Sequence, residues 1–341
     1  MGLRFYKRIR IAPGISLNLS KTGPSFLFGP RGMKYTVGPR GTRKTFGIPG
    51  TGLSYTMTSG WGRNRAGISP RSEEALPSLD IGFFGGMFIP SEDKPLVEGL
   101  KLFLSGKTDE AYSVFKTNSI HPDCLFMYGF TALGKGQYAE SESAFLRCRQ
   151  SKGGIGAVLT KYTKMFQLSL QITEFIDAPI AVDERGLTLS QIEAFQRQGK
   201  YLDAIKIASE LWNRGPADLV VCLSLCDLIV ANPTSTHSEL DEVVQMTAQV
   251  ENDGPLHANI LYLRGAALYR MQLREGALAQ LAAIARKKSG RPMGLLHQVR
   301  YLRGRLYEQA NDLARARKEY ELIYAEDAAF KDVRARIGIK P

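Results

Sequence analysis

Two patterns of apolar and polar residues divide the chain. In the first, apolar and polar residues alternate: Ile15, Leu17 and Leu19 against Ser16 and Asn18, then Met33, Tyr35 and Val37 against Lys34 and Thr36. A period of two places the apolar set on one face of a strand. Glycine recurs every ninth residue, at Gly14, Gly23, Gly32, Gly41 and Gly50. The turns nearly repeat as Gly29-Pro30-Arg31-Gly32, Gly38-Pro39-Arg40-Gly41 and Gly47-Ile48-Pro49-Gly50. Proline presets φ and glycine accepts positive φ, so Gly-Pro-x-Gly is turn chemistry. The spacing predicts strands at 15–19, 25–28, 33–37, 42–46 and 51–55. It also lines up equal positions of successive units, as Leu17, Phe26, Tyr35, Lys44 and Leu53. An antiparallel meander needs only hairpin turns, and a β-roll of nine-residue repeats is the alternative.

From about Pro95 the period changes to that of paired helices. Gly99, Ala111 and Phe115 stand twelve and then four residues apart. Gly129, Ser141 and Phe145 keep this spacing, as do Gly265, Ala277 and Leu281, and Gly304, Ala316 and Tyr320. Ile192, Ala204 and Ala208 keep it with a larger first residue. The small residue lets two helices cross closely, and the large one four residues later fills the gap on the same face. Residues 155–172 and 217–250 are expected to supply further helices, 175–182 with Pro179 an extended interruption, and Lys331–Arg336 a terminal capping helix. The prediction is about six irregular helix pairs.

Both patterns resemble known families. Met1-Gly2, Arg4-Phe5, Lys7, Pro13-Gly14, Leu17-Asn18-Leu19-Ser20-Lys21, the Gly-Pro-Arg-Gly turns and the closing Gly47-Ile48-Pro49-Gly50-Thr51-Gly52-Leu53-Ser54-Tyr55 resemble a bacterial N-terminal domain of unknown function, number 4236. That resemblance implies a bacterial source and a recurring β module, and no chemistry. The small–small–large spacing and Asn311-Asp312-Leu313-Ala314-Arg315-Ala316 resemble the tetratricopeptide repeat, which implies a helical solenoid that binds peptides or partner proteins. The expected fold class is therefore multidomain, all-β plus all-α. Residues 1–56 form a basic β-repeat domain, a meander or alternatively a β-roll. Residues 57–91 form a linker, and 92–341 a tetratricopeptide-like α-solenoid.

Charge sharpens the contrast between the two regions. The chain has 341 residues and a formal net charge of +12. Thirteen of its 45 Lys and Arg, and none of its Asp or Glu, precede Glu73. The other 32 basic residues are balanced by all 33 acidic ones. Such asymmetry points to a polyanionic partner, nucleic acid among them, with Lys21, Arg31, Lys34, Arg40, Arg43 and Lys44 as candidate contacts. The competing explanation is that these cations only protect strand edges. In the linker, Phe83, Phe84 and Phe88 stand in an apolar island, Ile81–Ile89, expected to dock on the following domain.

Catalytic chemistry finds no support in the sequence. The four histidines have no i,i+4 partner, and the four cysteines lack zinc spacing. Gly153-Gly154-Ile155-Gly156 lacks the Lys-Ser/Thr of a phosphate loop. Asp183-Glu184 reads as a helix start, and Cys222 and Cys226 as core. No run reaches the roughly 18 apolar residues of a membrane span. The expectation is a cytoplasmic, non-enzymatic interaction or scaffold protein without cofactor or metal. Its solenoid would hold a protein partner, and its β domain would drive homo-oligomerisation or, alternatively, bind nucleic acid or another polyanion.

Overall fold

A computed structural model describes residues 89–119, 121–163, 166–287 and 289–339 with their side chains, and the backbone of six strands between residues 6 and 60. The strands are β1 (Tyr6–Ala12), β2 (Ile15–Ser20), β3 (Gly23–Phe28), β4 (Met33–Gly38), β5 (Gly41–Gly47) and β6 (Ser54–Gly60). Each is recorded as antiparallel to the next. Of the strand expected at 51–55, residues 51–53 lie outside the described residues, and β6 is described from Ser54. One detail differs from the nine-residue expectation. Equal positions face each other at Leu17/Phe26 and Tyr35/Lys44, but Phe26 faces Val37 and Lys44 faces Met57. Antiparallel pairing reverses the chain at each turn, so the turn and not the repeat sets the register.

The chain divides into two compact units: Met1–Leu170 with Asp177–Gln198, and Gln171–Ile176 with Gly199–Pro341. In the first, α1 (Lys94–Leu104) pairs with α2 (Thr108–Thr117), and α3 (Pro122–Gly134) with α4 (Tyr138–Gln150). α1 is amphipathic, with Leu96, Val97, Leu100, Phe103 and Leu104 buried and proline in its first turn. α3 is buried along its whole length, which suits a helix with contacts to α1, α2, α4 and α6 (Glu184–Arg197). Asp183 caps α6, its Oδ1 accepting from Gly186 N at 2.7 Å, so Asp183-Glu184 is a helix start.

In the second unit, α7 (Tyr201–Arg214), α8 (Leu219–Ala231) and α9 (His237–Met246) precede the pairs α10 (Pro255–Arg270) with α11 (Arg274–Arg286) and α12 (Met293–Gln309) with α13 (Leu313–Tyr324). α14 (Val333–Arg336) closes the chain where the sequence places a capping helix. Residues 217–250 supply α8 and α9. Thr236 and Glu239 form a reciprocal capping box at the start of α9.

Residues 155–172 do not supply a helix of repeat length. They hold the four-residue α5 (Leu159–Tyr162) and most of β7 (Leu168–Thr173), which neighbours β8 (Ile176–Ile180) across the loop Glu174–Phe175. The reason lies in the burial pattern. Leu168, Leu170 and Ile172 are buried at every second position, the strand period. The extended 175–182 segment is present as β8, whose Pro179 is exposed, as befits an edge. Ser169 and Leu168 of β7 are paired with Ser54 and Tyr55 of β6.

The small–large spacing works as an interlock. A Cβ on Gly99 would lie 2.3 Å from the Phe115 ring, and one on Gly129 2.5 Å from Phe145. Gly304 meets Tyr320 at 2.5 Å and Gly265 meets Leu281 at 2.9 Å in the same way. Ala111, Ser141, Ala277 and Ala316 are all buried at these crossings, and Ser141 Oγ donates to Gly129 O at 2.8 Å.

The same spacing fixes a turn. Seven residues after each first position comes a residue with positive φ: Gly106 (79°), Gly136 (75°), Gly199 (72°), Gln272 (62°) and Asn311 (56°). A left-handed conformation costs a residue with a Cβ about 1–2 kcal/mol, and glycine's extra freedom in the unfolded chain offsets about half of that. Gln272 is exposed, so its side chain has little packing to lose. Gln272→Gly is expected to raise stability by roughly 0.5–1 kcal/mol, read from urea unfolding; a loss of stability would mean that the turn is held by the Gln272 side chain.

Candidate interaction surface

In the first unit, one polar cluster stitches three helices together. Glu140 Oε2 on α4 accepts from Tyr112 OH of α2 at 2.6 Å, Tyr128 OH of α3 at 2.7 Å and Lys116 Nζ of α2 at 3.0 Å. Lys116 also stands over the Tyr112 and Tyr128 rings, and Lys135 over Tyr112 while it pairs with Asp109. The hydrogen bonds from Tyr112, Tyr128 and Lys116 hold the Glu140 carboxyl down at about 2. Burial, and then the bond to Glu140, push the Tyr128 phenol up to about 12.

A carboxyl depressed by folding stabilises the folded state above its unfolded pKa, and that contribution fades as pH falls toward the folded value. The window therefore runs from about 4.5 down to about 2. The Glu140 side chain is 40% exposed, so solvent screens the effect and keeps it modest. Glu140→Gln is expected to flatten the fall in thermal midpoint across this window; an unchanged acid limb would place the titration elsewhere. Every group of the cluster has its partner within the chain, and the cluster is a structural stitch.

The second unit offers a different kind of surface. Its last two pairs repeat at a constant offset: Gly265 corresponds to Gly304, Ala277 to Ala316, Asn259 to Gln298, Tyr262 to Tyr301 and Arg264 to Arg303. Gly265 and Gly304 face the second helices α11 and α13. Asn259 and Gln298, six positions earlier, face segments from elsewhere in the chain. Asn259 Nδ2 donates to Thr173 Oγ1 of the β7–β8 hairpin at 3.1 Å, and Lys331 Nζ donates to Gln298 Oε1 at 2.6 Å. Next to the latter, Tyr301 OH donates to Asp332 at 2.7 Å and Arg336 pairs with Glu308 at 2.6 Å, so the segment 331–336 seats on α12. Tyr269 OH accepts from Gln309 Nε2 at 3.3 Å, bridging the C-terminal ends of α10 and α12. An open hollow of about 730 Å³ lies beside it, lined by Gln272–Gly276 and Gln309.

Of the residues picked from sequence, Lys34, Arg43 and Lys44 have a backbone register. Lys34 stands opposite Thr45, Arg43 opposite Thr36 and Thr58, and Lys44 opposite Tyr35 and Met57. Lys21, Arg31, Arg40, Phe83, Phe84 and Phe88 lie outside the described residues. The four cysteines are free and buried, Cys222 and Cys226 within α8. No three His, Cys, Asp or Glu side chains come together as a metal site among the described residues. No helix among them is long and apolar enough to cross a membrane. Sequence reasoning missed Asn259, Gly294, Thr173 and Phe175; the constant offset between the last two helix pairs was the signal for the first.

The N-terminal strands and the helical region have separate relatives. Residues 3–56 match the family described as Protein of unknown function (DUF4236). No curated protein matches the chain. Among solved structures, the chain resembles the N-terminal domain of the EccA1 ATPase from the ESX-1 secretion system of Mycobacterium tuberculosis. That likeness has a TM-score of 0.54 at 12% identity and covers 72% of this chain and 88% of that one, so the two share a fold. The thermophilic TPR protein TTC0263 of Thermus thermophilus matches at 15% identity over 64% of this chain and 97% of its own, with a TM-score of 0.41. A tetratricopeptide repeat protein from Parabacteroides merdae matches at 12% identity over 73% and 98%, with a TM-score of 0.38. Within each unit, the helix pairs interlocked by small and large residues resemble those of tetratricopeptide proteins.

Proposed function

We propose that this chain is a non-enzymatic, cytoplasmic scaffold. Its helix pairs hold a protein partner, and its N-terminal strands form a β meander that mediates assembly. The observation that supports this is the use of the first helices. Their second helices cover one side, while Asn259 and Gln298 on another side take hold of short extended or irregular segments. A surface that binds such segments within the chain has the chemistry to bind them from a partner. The test is capture with the full chain from its host, followed by cross-linking. Partner cross-links on α10 or α12 are expected, and recovery of no partner under any condition removes the reading.

A second reading rests on the excess of positive charge before Glu73. Lys21, Arg31, Lys34, Arg40, Arg43 and Lys44 would grip a polyanion such as nucleic acid, with Phe83, Phe84 and Phe88 docking the linker on the helices. Replacing both Arg31 and Arg40 with Glu is expected to weaken binding to duplex DNA. It should also lower the salt slope by about two, at roughly 0.9 per phosphate contact. A wild-type chain that binds neither DNA, RNA nor anionic vesicles at low salt leaves the charge a matter of solubility. Homo-oligomerisation through the open strand edges should grow with salt, because like charges repel when unscreened. Light scattering that shows a monomer at every salt concentration, with and without polyanion, counts against it.

A further inference from the structure

We propose that the face of α10 together with the first turn of α12 recognises an extended protein segment in which a hydroxyl residue stands two positions before an aromatic one. Residues 173–176 of this chain are its resident occupant, displaced when such a segment binds. The proposal deepens the scaffold reading above and rests on it.

The occupant is built from three consecutive residues. Thr173, at the end of β7, is buried, and its Oγ1 accepts from the buried Asn259 Nδ2 at 3.1 Å. The same oxygen accepts from Phe175 N at 3.3 Å, which folds the tip of the hairpin over α10. Phe175 then packs against an apolar cluster that includes Ala258, Leu261, Leu295 and Val299. Gly294, in the first turn of α12, makes room for it: a Cβ there would stand 2.9 Å from the ring. Glu174 between them is exposed. Its charge acts on Lys331 and Tyr262, opposing the burial that lowers the Lys331 ammonium and adding to the burial that raises the Tyr262 phenol. The face thus offers a buried amide and an aromatic slot floored by glycine.

The turn itself gives little reason for the tip to be there. Two-residue hairpin loops favour residues with positive φ, above all Asn-Gly and Gly-containing pairs. Glu174 and Phe175 are not among the described residues with positive φ. The Asn259–Thr173 hydrogen bond and the half-buried Phe175 ring join the tip to the face it sits on. A segment tethered in the same chain acts at an effective concentration on the order of millimolar, so a free competitor is disfavoured until the tether's own ring is removed.

The test uses the full chain and a fluorescein-labelled peptide copying residues 170–178, with a control peptide carrying Ala in place of Phe. Phe175→Ala is expected to bind the copy at least tenfold more tightly than the wild type, and the control peptide at least tenfold more weakly than the copy. Adding Gly294→Val to Phe175→Ala should fill the slot and remove the gain. A folded Phe175→Ala chain that binds the copy no better than the control overturns the proposal. If Phe175→Ala does not fold, hydrogen exchange of the wild-type chain decides: excess copy peptide should speed exchange at residues 173–176, and unchanged exchange makes the tip permanent core. Absent peptide binding alongside a captured partner cross-linked to other helices would sink this inference and leave the scaffold reading standing.

Discussion

Gly129→Ala is expected to lower the thermal midpoint of the chain by several degrees, although alanine is the better helix former. The new Cβ would stand 2.5 Å from Cε1 and 2.6 Å from Cδ1 of Phe145. Overpacking of this kind costs about 1–3 kcal/mol, against a propensity gain of at most about 1 kcal/mol. Relief is hard to find, because α3 is buried along its whole length and Phe145 is fully buried. Phe145→Leu in the same chain should return part of the loss, since a smaller side chain opens the crossing; the coupling between such neighbours is about 0.5–3 kcal/mol. Gly304→Ala against Tyr320 should behave alike. Ala111→Phe and Ala316→Phe attack the same kind of crossing from the second helix. Unchanged midpoints in all four variants would mean that the crossings are looser than their geometry.

Asp123→Ala is expected to cost about 4 kcal/mol, the larger of the two effects, as the sum over several orphaned donors. Asp123 is fully buried and its carboxylate satisfies three backbone donors: Gly156 N at 2.6 Å, Val158 N at 3.1 Å and Leu159 N at 2.7 Å. It serves from a distance as the cap that α5 lacks, since Val158 at the start of α5 offers no side-chain oxygen. Each buried N–H left without an acceptor costs about 1–3 kcal/mol, and hydrogen bonds to a charged acceptor lie at the strong end. Asp123→Asn should recover only part of this, because an amide turns donors toward donors. Urea unfolding measures the loss, and hydrogen exchange at residues 156–159 locates it. A loss below about 1 kcal/mol with those amides still protected would show that another acceptor takes over.

The interlocks and the anchor differ in how much of each the sequence exposes. Gly99, Ala111 and Phe115 could be read together because a helix pair with a short turn converts a sequence spacing into a contact. The interval from first to second position spans one turn whose positive-φ slot recurs at Gly106, Gly136, Gly199, Gln272 and Asn311. Local geometry fixes such contacts, so four of the predicted crossings are present as close approaches of a first-position glycine to a large partner. The same holds for the helix start at Asp183 and for the buried Cys222 and Cys226.

Contacts between distant segments left no such trace. Asp123 on α3 reaches past the whole of α4 to Gly156, Val158 and Leu159. Thr173 of the hairpin and Asn259 of α10 meet although they stand farther apart still along the chain. Nothing in the local pattern at either end announces its partner, because each end is an ordinary residue of its own helix, strand or turn. Residues 155–172 show the same limit: the Leu168, Leu170, Ile172 alternation was present in the sequence, but expectation from the neighbouring repeats favoured helix. By itself the sequence determined the confinement of its net charge to the region before Glu73 and the helix pairs with their crossings, which follow from composition, periodicity and short-range sterics. Tertiary structure alone decided that a hairpin interrupts the helices, that its tip settles on α10 against Gly294, and that a carboxylate on α3 anchors the loop before α5, because those choices depend on which distant surfaces have a gap, an apolar floor or an unmet donor to fill.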